Sequence, residues 1–572
     1  MRPPRPIALL VLLLAVLLQA AGTAASDTGP PAATVRAERQ MVVAGHPLAA
    51  RAGLDVLRDG GGAVDAAVAI QMVLTLVEPQ SSGIGGGAFL VHRDAANGAI
   101  ATYDGRETAP ASADARLFLD ADGQPLTFEE AAGGGIAVGV PGVVRMLGRA
   151  HAAHGRLTWR RLVAPAAALA EAGFPISPRL AAAIAAAPRL KAVPAAGAYF
   201  FDAQGVPLPA GHRLSNPALA ATLRRLAEDG PDAFYAGSIA AAIVEAVAAA
   251  PLRPGGMTAA DIAAYDAPRR APVCGTYRGH RLCGAPPPSS GPVAVLQTLA
   301  MLERFDLRAA GPWSGLTAHR FAEALRLAFA DRNAWVADPD QVSVPTAALV
   351  DRTYLARRSA LIADRTHGTA QPGTPEGADG VRHPEQAKPP GTAHLSVVDA
   401  HGDVLSMTSS VERAFGSGLM VEGFVLNSQL TDFAFRPDGT DGPVANAPGP
   451  GKRPRSSMSP IIVLDAADRP VAVTGSPGGA DIIAYVAKSV VALLDWELDP
   501  GAVVALPNLS NRNGPTLVEA TFPGLASADL AERGHAVRPA PLTSGLAVIR
   551  ILPDGTLLGA ADPRREGVAV GD

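Results

Sequence analysis

The spacing of apolar residues changes period several times along the chain, and each change marks an element. Residues 7–18 are apolar without a break, preceded by Arg2 and Arg5 and followed by Ala20-Ala21-Gly22-Thr23-Ala24-Ala25. That is the layout of an export signal over residues 1–25, with cleavage after Ala25, and the run is too short to span a bilayer. His46-Pro47 then opens a helix with helical apolar spacing that should run to about Asp59 and stop at Gly60-Gly61-Gly62. A second helix, over about 64–77, has no polar face, which predicts burial. Alternation on either side of Asn97-Gly98 predicts a hairpin, its second strand ending in Tyr103-Asp104-Gly105-Arg106-Glu107-Thr108-Ala109-Pro110.

Helical spacing dominates from 158 to about 327, broken by a Cys-containing hairpin and by Pro286-Pro287-Pro288-Ser289-Ser290-Gly291. A loose Pro/Gly-rich run over 364–390 follows, and the period then drops to two. Strand pairs turn at Ala400-His401-Gly402-Asp403, Ala466-Ala467-Asp468 and Pro553-Asp554-Gly555-Thr556, with helices over roughly 481–496 and 527–533. Antiparallel strands from the C-terminal third, sandwiched by helices from the first two-thirds, predict a layered α/β architecture. No internal repeat is present.

Composition changes this picture little. With 572 residues, 48% of them hydrophobic, the chain can bury a large core as several domains or one interlocked body. The net charge of −4, without a basic stripe, argues against nucleic acid as a partner. Export places the protein in the periplasm or outside the cell, and no Cys follows the signal to carry a lipid anchor. The two cysteines, Cys274 and Cys283, fall opposite each other if Arg278-Gly279 forms a two-residue loop. Counting outward makes them a non-hydrogen-bonded pair, so they are either a disulfide or two buried thiols.

For chemistry, the glycines of Ser81-Ser82-Gly83-Ile84-Gly85-Gly86-Gly87 precede a strand, not a helix, and no GK[ST] is present. Close backbone packing accounts for them better than a nucleotide does. Gly391-Thr392-Ala393-His394-Leu395-Ser396-Val397-Val398 opens a strand after the loose run. A threonine exposed there as a new chain start could use its own α-amine as base, and Gly391 tolerates the backbone distortion that self-cleavage requires. No G-x-S-x-G or H-E-x-x-H is present.

Further clusters join Thr392: Arg106, Ser410 with Glu412, Asn427-Ser428-Gln429-Leu430-Thr431-Asp432, Arg453-Pro454-Arg455-Ser456-Ser457-Met458 and Gly475-Ser476-Pro477-Gly478-Gly479. In this order they resemble the gamma-glutamyltransferase family of N-terminal-nucleophile hydrolases, from about Val42 to the C-terminus. The resemblance implies a four-layer αββα sandwich built from both fragments of a self-cleaved precursor, a large subunit 26–391 and a small subunit 392–572. It implies Thr392 as nucleophile, Ser410 orienting it, and the amides of Gly478 and Gly479 as oxyanion hole. Arg106, helped by Ser456 and Ser457, would bind the donor's α-carboxylate, and Gln429, Asp432 and Glu412 its α-ammonium. No metal or cofactor is implied. The partners would be γ-glutamyl donors such as glutathione, with water, amino acids or peptides as acceptors.

Two departures stand out. Glu412 replaces the Asn common at that position. The stretch between Asp432 and Ser456 is short and lacks the Tyr of a full lid, which predicts an open pocket and admits bulkier donors. Two other readings stay open: a glutaryl or cephalosporin acylase on the same fold, and an unprocessed binding protein, which the intact Gly391-Thr392 junction disfavours.

Overall fold

In the computed structural model, residues 33–378, 391–439 and 442–572 are described. The expected export signal and the last part of the loose run lie outside them. The first two helices follow their sequence signals closely: Pro47–Arg58 is capped by the His46 imidazole, and all fifteen residues of Ala63–Val77 are buried. Pro at the first turn and glycines after the last explain both boundaries.

Among the described residues the strands form two seven-stranded antiparallel sheets and a few short ribbons. We number the strands of the two large sheets as β1 (Val35–Ala37), β2 (Met41–Ala44), β3 (Gly87–Arg93), β4 (Ile100–Gly105), β5 (Arg269–Arg270), β6 (Val273–Tyr277) and β7 (His280–Gly284). They continue with β8 (Gly391–Val398), β9 (Val404–Glu412), β10 (Ile461–Leu464), β11 (Pro470–Gly475), β12 (Ala547–Ile551), β13 (Leu557–Ala561) and β14 (Val568–Gly571). One sheet has the order β14-β2-β8-β9-β3-β4-β5, the other β1-β13-β12-β11-β10-β7-β6. The sheets therefore do not come from the C-terminal third alone. Strands β1 to β7 precede Gly391 and β8 to β14 follow or contain it, so each sheet mixes both parts of the chain. The short N-terminal strands are weak period-two signals inside helical surroundings, and their long-range pairing leaves no local trace.

The sheets pack face to face through Met41, Val43, Phe89, Val91, Val398, Ile462, Val473 and Ile549. Helices before residue 265 cover the outer face of the first sheet, and helices such as Gly291–Leu302, Gly315–Trp335 and Ile482–Leu494 cover the second. The result is an αββα sandwich. Full burial of each large apolar side chain contributes about 1.5–3 kcal/mol, so the inter-sheet layer ties the two parts of the chain together many times over. The stretch Pro231–Ala248 is apolar enough by composition to cross a membrane, yet its Phe234, Ile239, Ile243 and Val247 are buried in the core.

The Cys hairpin has the register expected from its loop. Cys274 faces Cys283 across β6 and β7, Cα atoms 4.2 Å apart, and the two sulfurs are bonded. The glycines of 83–87 serve packing: a Cβ at Gly86 would lie 2.1 Å from the Ser410 carbonyl oxygen, and one at Gly85 2.2 Å from that of Val425.

Candidate active site

Strand register collects the candidates at one end of the first sheet. Thr392 on β8 faces Ser410 on β9, Ser410 faces Gly87 on β3, and Ala88 faces Gly105, the residue before Arg106. A β-bulge falls between Gly391 and Thr392, where Gly391 pairs with Glu412 and Thr392 skips to Ser410. Glu412 takes φ +83°, uncommon for a non-glycine residue. The irregularity therefore sits on the bond that self-cleavage would break.

Ser410 organises this junction. Its Oγ donates to the Gly391 carbonyl oxygen at 2.6 Å, accepts from the Glu412 amide at 2.9 Å, and lies 3.2 Å from Thr392 Oγ1. A hydroxyl has one proton, here spent on Gly391 O, so Ser410 Oγ is an acceptor towards the Thr392 hydroxyl. One side chain thus orients the attacking oxygen and polarises the carbonyl it would attack. Thr392 and Ser410 are both almost fully buried.

Arg106 is wholly buried, and its donors are in use. Nε donates to Pro454 O at 3.0 Å, Nη2 to Arg455 O at 3.0 Å and to Asp432 Oδ2 at 2.5 Å, and Nη1 reaches Glu107 Oε2 at 3.5 Å. A buried guanidinium must be paired, and here two backbone carbonyls and the Asp432 and Glu107 carboxyl groups do so. Gln429 Nε2 also donates to Asp432 Oδ2, at 3.3 Å. The structure thus brings Arg106, Asp432 and Gln429 into direct contact. Ser456 and Ser457 follow the Pro454 and Arg455 carbonyls that hold Arg106. They are held themselves, Ser457 Oγ accepting from Arg332 Nη2 at 2.6 Å and Ser456 O from the Ser290 amide at 2.8 Å. Gly478 and Gly479, in the turn beyond the end of β11, have φ +142° and +61°, which glycine adopts most readily.

Three supporting residues carried no assigned role in the sequence. Asn427, fully buried, accepts from the Gly139 and Gln429 amides and donates to Gly85 O and Gly139 O, fixing the turn that presents Gln429 and Asp432. Glu107 is buried beside Arg106, and desolvation pushes its carboxyl up to about 8 despite that neighbour. Arg565 Nη1 donates to Thr392 O at 2.9 Å, and burial, with Arg179 nearby, lowers its guanidinium to about 10. Only the Asn-Ser-Gln run hinted at Asn427. Arg565 lies 173 residues from its partner and gave no signal.

No metal ligand set converges on Thr392 among the described residues. The His319, Glu323 and His535 group lies elsewhere, and its two imidazoles already hydrogen-bond each other at 2.8 Å.

Comparison with known proteins shows the family and the fold. The family model described as Gamma-glutamyltranspeptidase matches residues 49–572. A glutathione hydrolase proenzyme of Bacillus subtilis (strain 168) is 37% identical over 544 residues, covering 93% of this chain and 91% of its own. The acylase ACY 1 proenzyme of Pseudomonas sp. (strain SE83) is 35% identical, covering 93% of each chain. Among solved structures, a cephalosporin acylase from Bacillus halodurans superposes with a TM-score of 0.85 at 28% identity, over 96% of this chain and 99% of that one. With the N-terminal-nucleophile hydrolase fold in place and the family model running from the first helix to the last residue, this chain belongs to the gamma-glutamyltranspeptidase family.

Proposed function

We propose that this protein is an exported proenzyme that cleaves itself between Gly391 and Thr392 and then transfers γ-glutamyl groups. The observation that carries the reading is the fixed pairing of Arg106 with Asp432 at the strand end that holds Thr392 and Ser410. A γ-glutamyl head group bears a carboxylate and an ammonium on one carbon, and a site selective for it needs a cation and an anion side by side. The donor would displace the internal pair, its carboxylate taking Arg106 and its ammonium taking Asp432, Gln429 and Glu412.

The Ser410 geometry supports the following maturation scheme. Thr392 Oγ1 attacks the Gly391 carbonyl carbon, the oxyanion forms on the oxygen already bound by Ser410, and the C–N bond breaks as the hydroxyl proton passes to the leaving nitrogen, giving an ester and a free α-amine. Water hydrolyses the ester and frees the Thr392 hydroxyl. In turnover that amine takes the hydroxyl proton as Thr392 attacks the γ-amide carbonyl, and it returns the proton to the leaving amine. The amides of Gly478 and Gly479 would bind the oxyanion. The resulting γ-glutamyl ester passes to water, an amino acid or a peptide.

Residues 26–391 and 392–572 would stay together after cleavage, because both sheets interleave strands from either side of the junction. The Cys274–Cys283 bond is at home in an oxidising compartment, which supports a periplasmic or secreted location after loss of residues 1–25. The aromatic residues of the 433–455 loop, Phe433 and Phe435, are committed to a small core with Phe118 and Leu126. This supports an uncovered pocket and donors larger than glutathione.

The relatives named as acylases favour a second reading, a glutaryl-type acylase on the same site. Kinetics of the purified protein on γ-glutamyl and glutaryl anilides decide between them. Preference for the γ-glutamyl compound is expected, and equal or better cleavage of the glutaryl one would replace the transferase reading with the acylase.

A further inference from the structure

Strand β8 carries Thr392, His394 and Ser396 on one face, and β9 sets Ser410, Thr408 and Ser406 opposite them. The first three rungs of an otherwise apolar inter-sheet layer are therefore polar. The third rung reaches the second sheet through both its members: Ser396 Oγ donates to Ala547 O on β12 at 3.1 Å, and Ser406 Oγ to Thr474 O on β11 at 3.2 Å. His394 lies on β8 between Thr392 and Ser396, in the middle rung, and is 2% exposed.

Burial and these bonds together fix the imidazole's state. The Ser396 proton is spent on Ala547 O, so Ser396 Oγ, 3.2 Å from His394 Nε2, must accept from it. Complete burial keeps the ring neutral, so Nδ1, 2.8 Å from Thr408 Oγ1, accepts from that hydroxyl. Both ring nitrogens are used, and the ring is neutral and fixed in orientation. Its edge presses on Gly475, where a Cβ would lie 2.1 Å from His394 Cε1 and 2.5 Å from Nε2. Gly475 ends β11 and leads directly through Ser476 and Pro477 into Gly478 and Gly479.

We propose that His394 is a positioning residue: a neutral imidazole wedged between β8 and Gly475 that sets the height of the Gly478–Gly479 loop above Thr392. The inference rests on the reading of those two glycines as the oxyanion hole. The nucleophile and the oxyanion donors lie on different sheets, so their spacing depends on what fills the gap between the sheets. At this end of the sandwich a rigid ring, pinned at both nitrogens, abuts the residue from which the loop departs. An aliphatic residue could fill part of the volume but could not hold one orientation, and any side chain at position 475 would collide with the ring.

A misplaced oxyanion hole harms the transition state and spares ground-state binding. Mature His394→Ala should therefore lose roughly 10²-fold in kcat, with the donor KM changed less than about threefold. Gly475→Ala, which retains the His394, Ser396 and Thr408 side chains but drives a Cβ against the ring, should show the same split. His394→Gln, which keeps a donor near the Nε2 position, should recover part of the rate. A boronic acid analogue of the donor, which becomes tetrahedral on Thr392 Oγ1, should weaken in parallel with kcat, whereas a non-reacting donor analogue should not. The split is read on whichever anilide the wild-type enzyme cleaves, γ-glutamyl or glutaryl, so the choice of substrate tests the donor reading and the split tests His394. Wild-type kcat in Gly475→Ala and in a folded His394 variant would overturn the proposal. So would a loss confined to KM, or boronate affinity unchanged while kcat falls.

Discussion

Ser410 Oγ lies 2.6 Å from the Gly391 carbonyl oxygen and donates its only proton there, in an uncleaved junction that already carries a β-bulge. Self-cleavage should depend on that bond. Thr392→Ala should remain one chain, because no nucleophile is left. Ser410→Ala should still cut, more slowly by roughly 10²–10³-fold, the usual consequence of losing one oxyanion donor. A time course on denaturing gels with sequencing of the new amino terminus checks both. Wild-type protein that is active while uncut would refute the maturation scheme.

The candidate site was legible in the sequence through motifs that resemble a known family, and parts of the fold because their signals are local. The Cys274–Cys283 register follows from counting outward from a two-residue loop, and Pro47 and Gly60 bracket the first helix as their backbone chemistry requires. What stayed hidden is non-local. Arg106 meets Asp432 across 326 residues and Arg565 meets Thr392 across 173, and neither pairing leaves a periodicity. The role of His394 was equally invisible, since it depends on which strand of the other sheet lies above it. Nor does the sequence reveal that Arg106 donates to the Pro454 and Arg455 carbonyls.

Donor recognition should be sensitive to both members of the internal pair. A glutaryl donor would leave Asp432 facing Arg106 with no ammonium to draw it away, so discrimination of several kcal/mol, hundreds-fold in kcat/KM, is expected. Asp432→Ala should lose most activity on a γ-glutamyl anilide. It should also let the Glu107 carboxyl fall below its raised value of about 8, since Asp432 is one of the charges that lift it. Arg106→Lys should raise KM steeply, because one ammonium cannot reproduce bonds to Pro454, Arg455 and Asp432 together. Steady-state kinetics of the three proteins on both anilides provide the check.

The Cys274–Cys283 bridge encloses a short loop, with a sequence separation of 9. Loop-closure entropy assigns such a bridge roughly 2–3 kcal/mol. A Cys274→Ser, Cys283→Ser double variant should therefore fold, mature and turn over donor, with a modestly lower unfolding midpoint. Thiol titration of the denatured, unreduced wild-type protein should find no reactive sulfhydryl. Two titratable thiols would show the bridge absent in the exported protein.

Acid should loosen the sandwich through His394. Burial alone lowers its imidazole from 6.5 to about 3, and no charged partner compensates among the groups that perturb it. Above pH 6.5 the ring is neutral in folded and unfolded chains alike, so it contributes no pH dependence there. Between pH 6.5 and about 3 the unfolded chain binds a proton that the folded chain refuses, and stability falls by about 1.4 kcal/mol per pH unit. Other groups titrate in the same window, and Glu107 acts in the opposite sense between its unfolded value and about 8, so the total slope does not isolate the imidazole. The difference between wild type and His394→Gln does, since every other titration is common to both. Wild type should be the more stable at pH 7.5, and its advantage should shrink by about 2 kcal/mol at pH 5. Urea unfolding of both proteins at the two pH values measures this, and a gap that stays constant or widens on acidification would mean that the imidazole is not held neutral between the sheets.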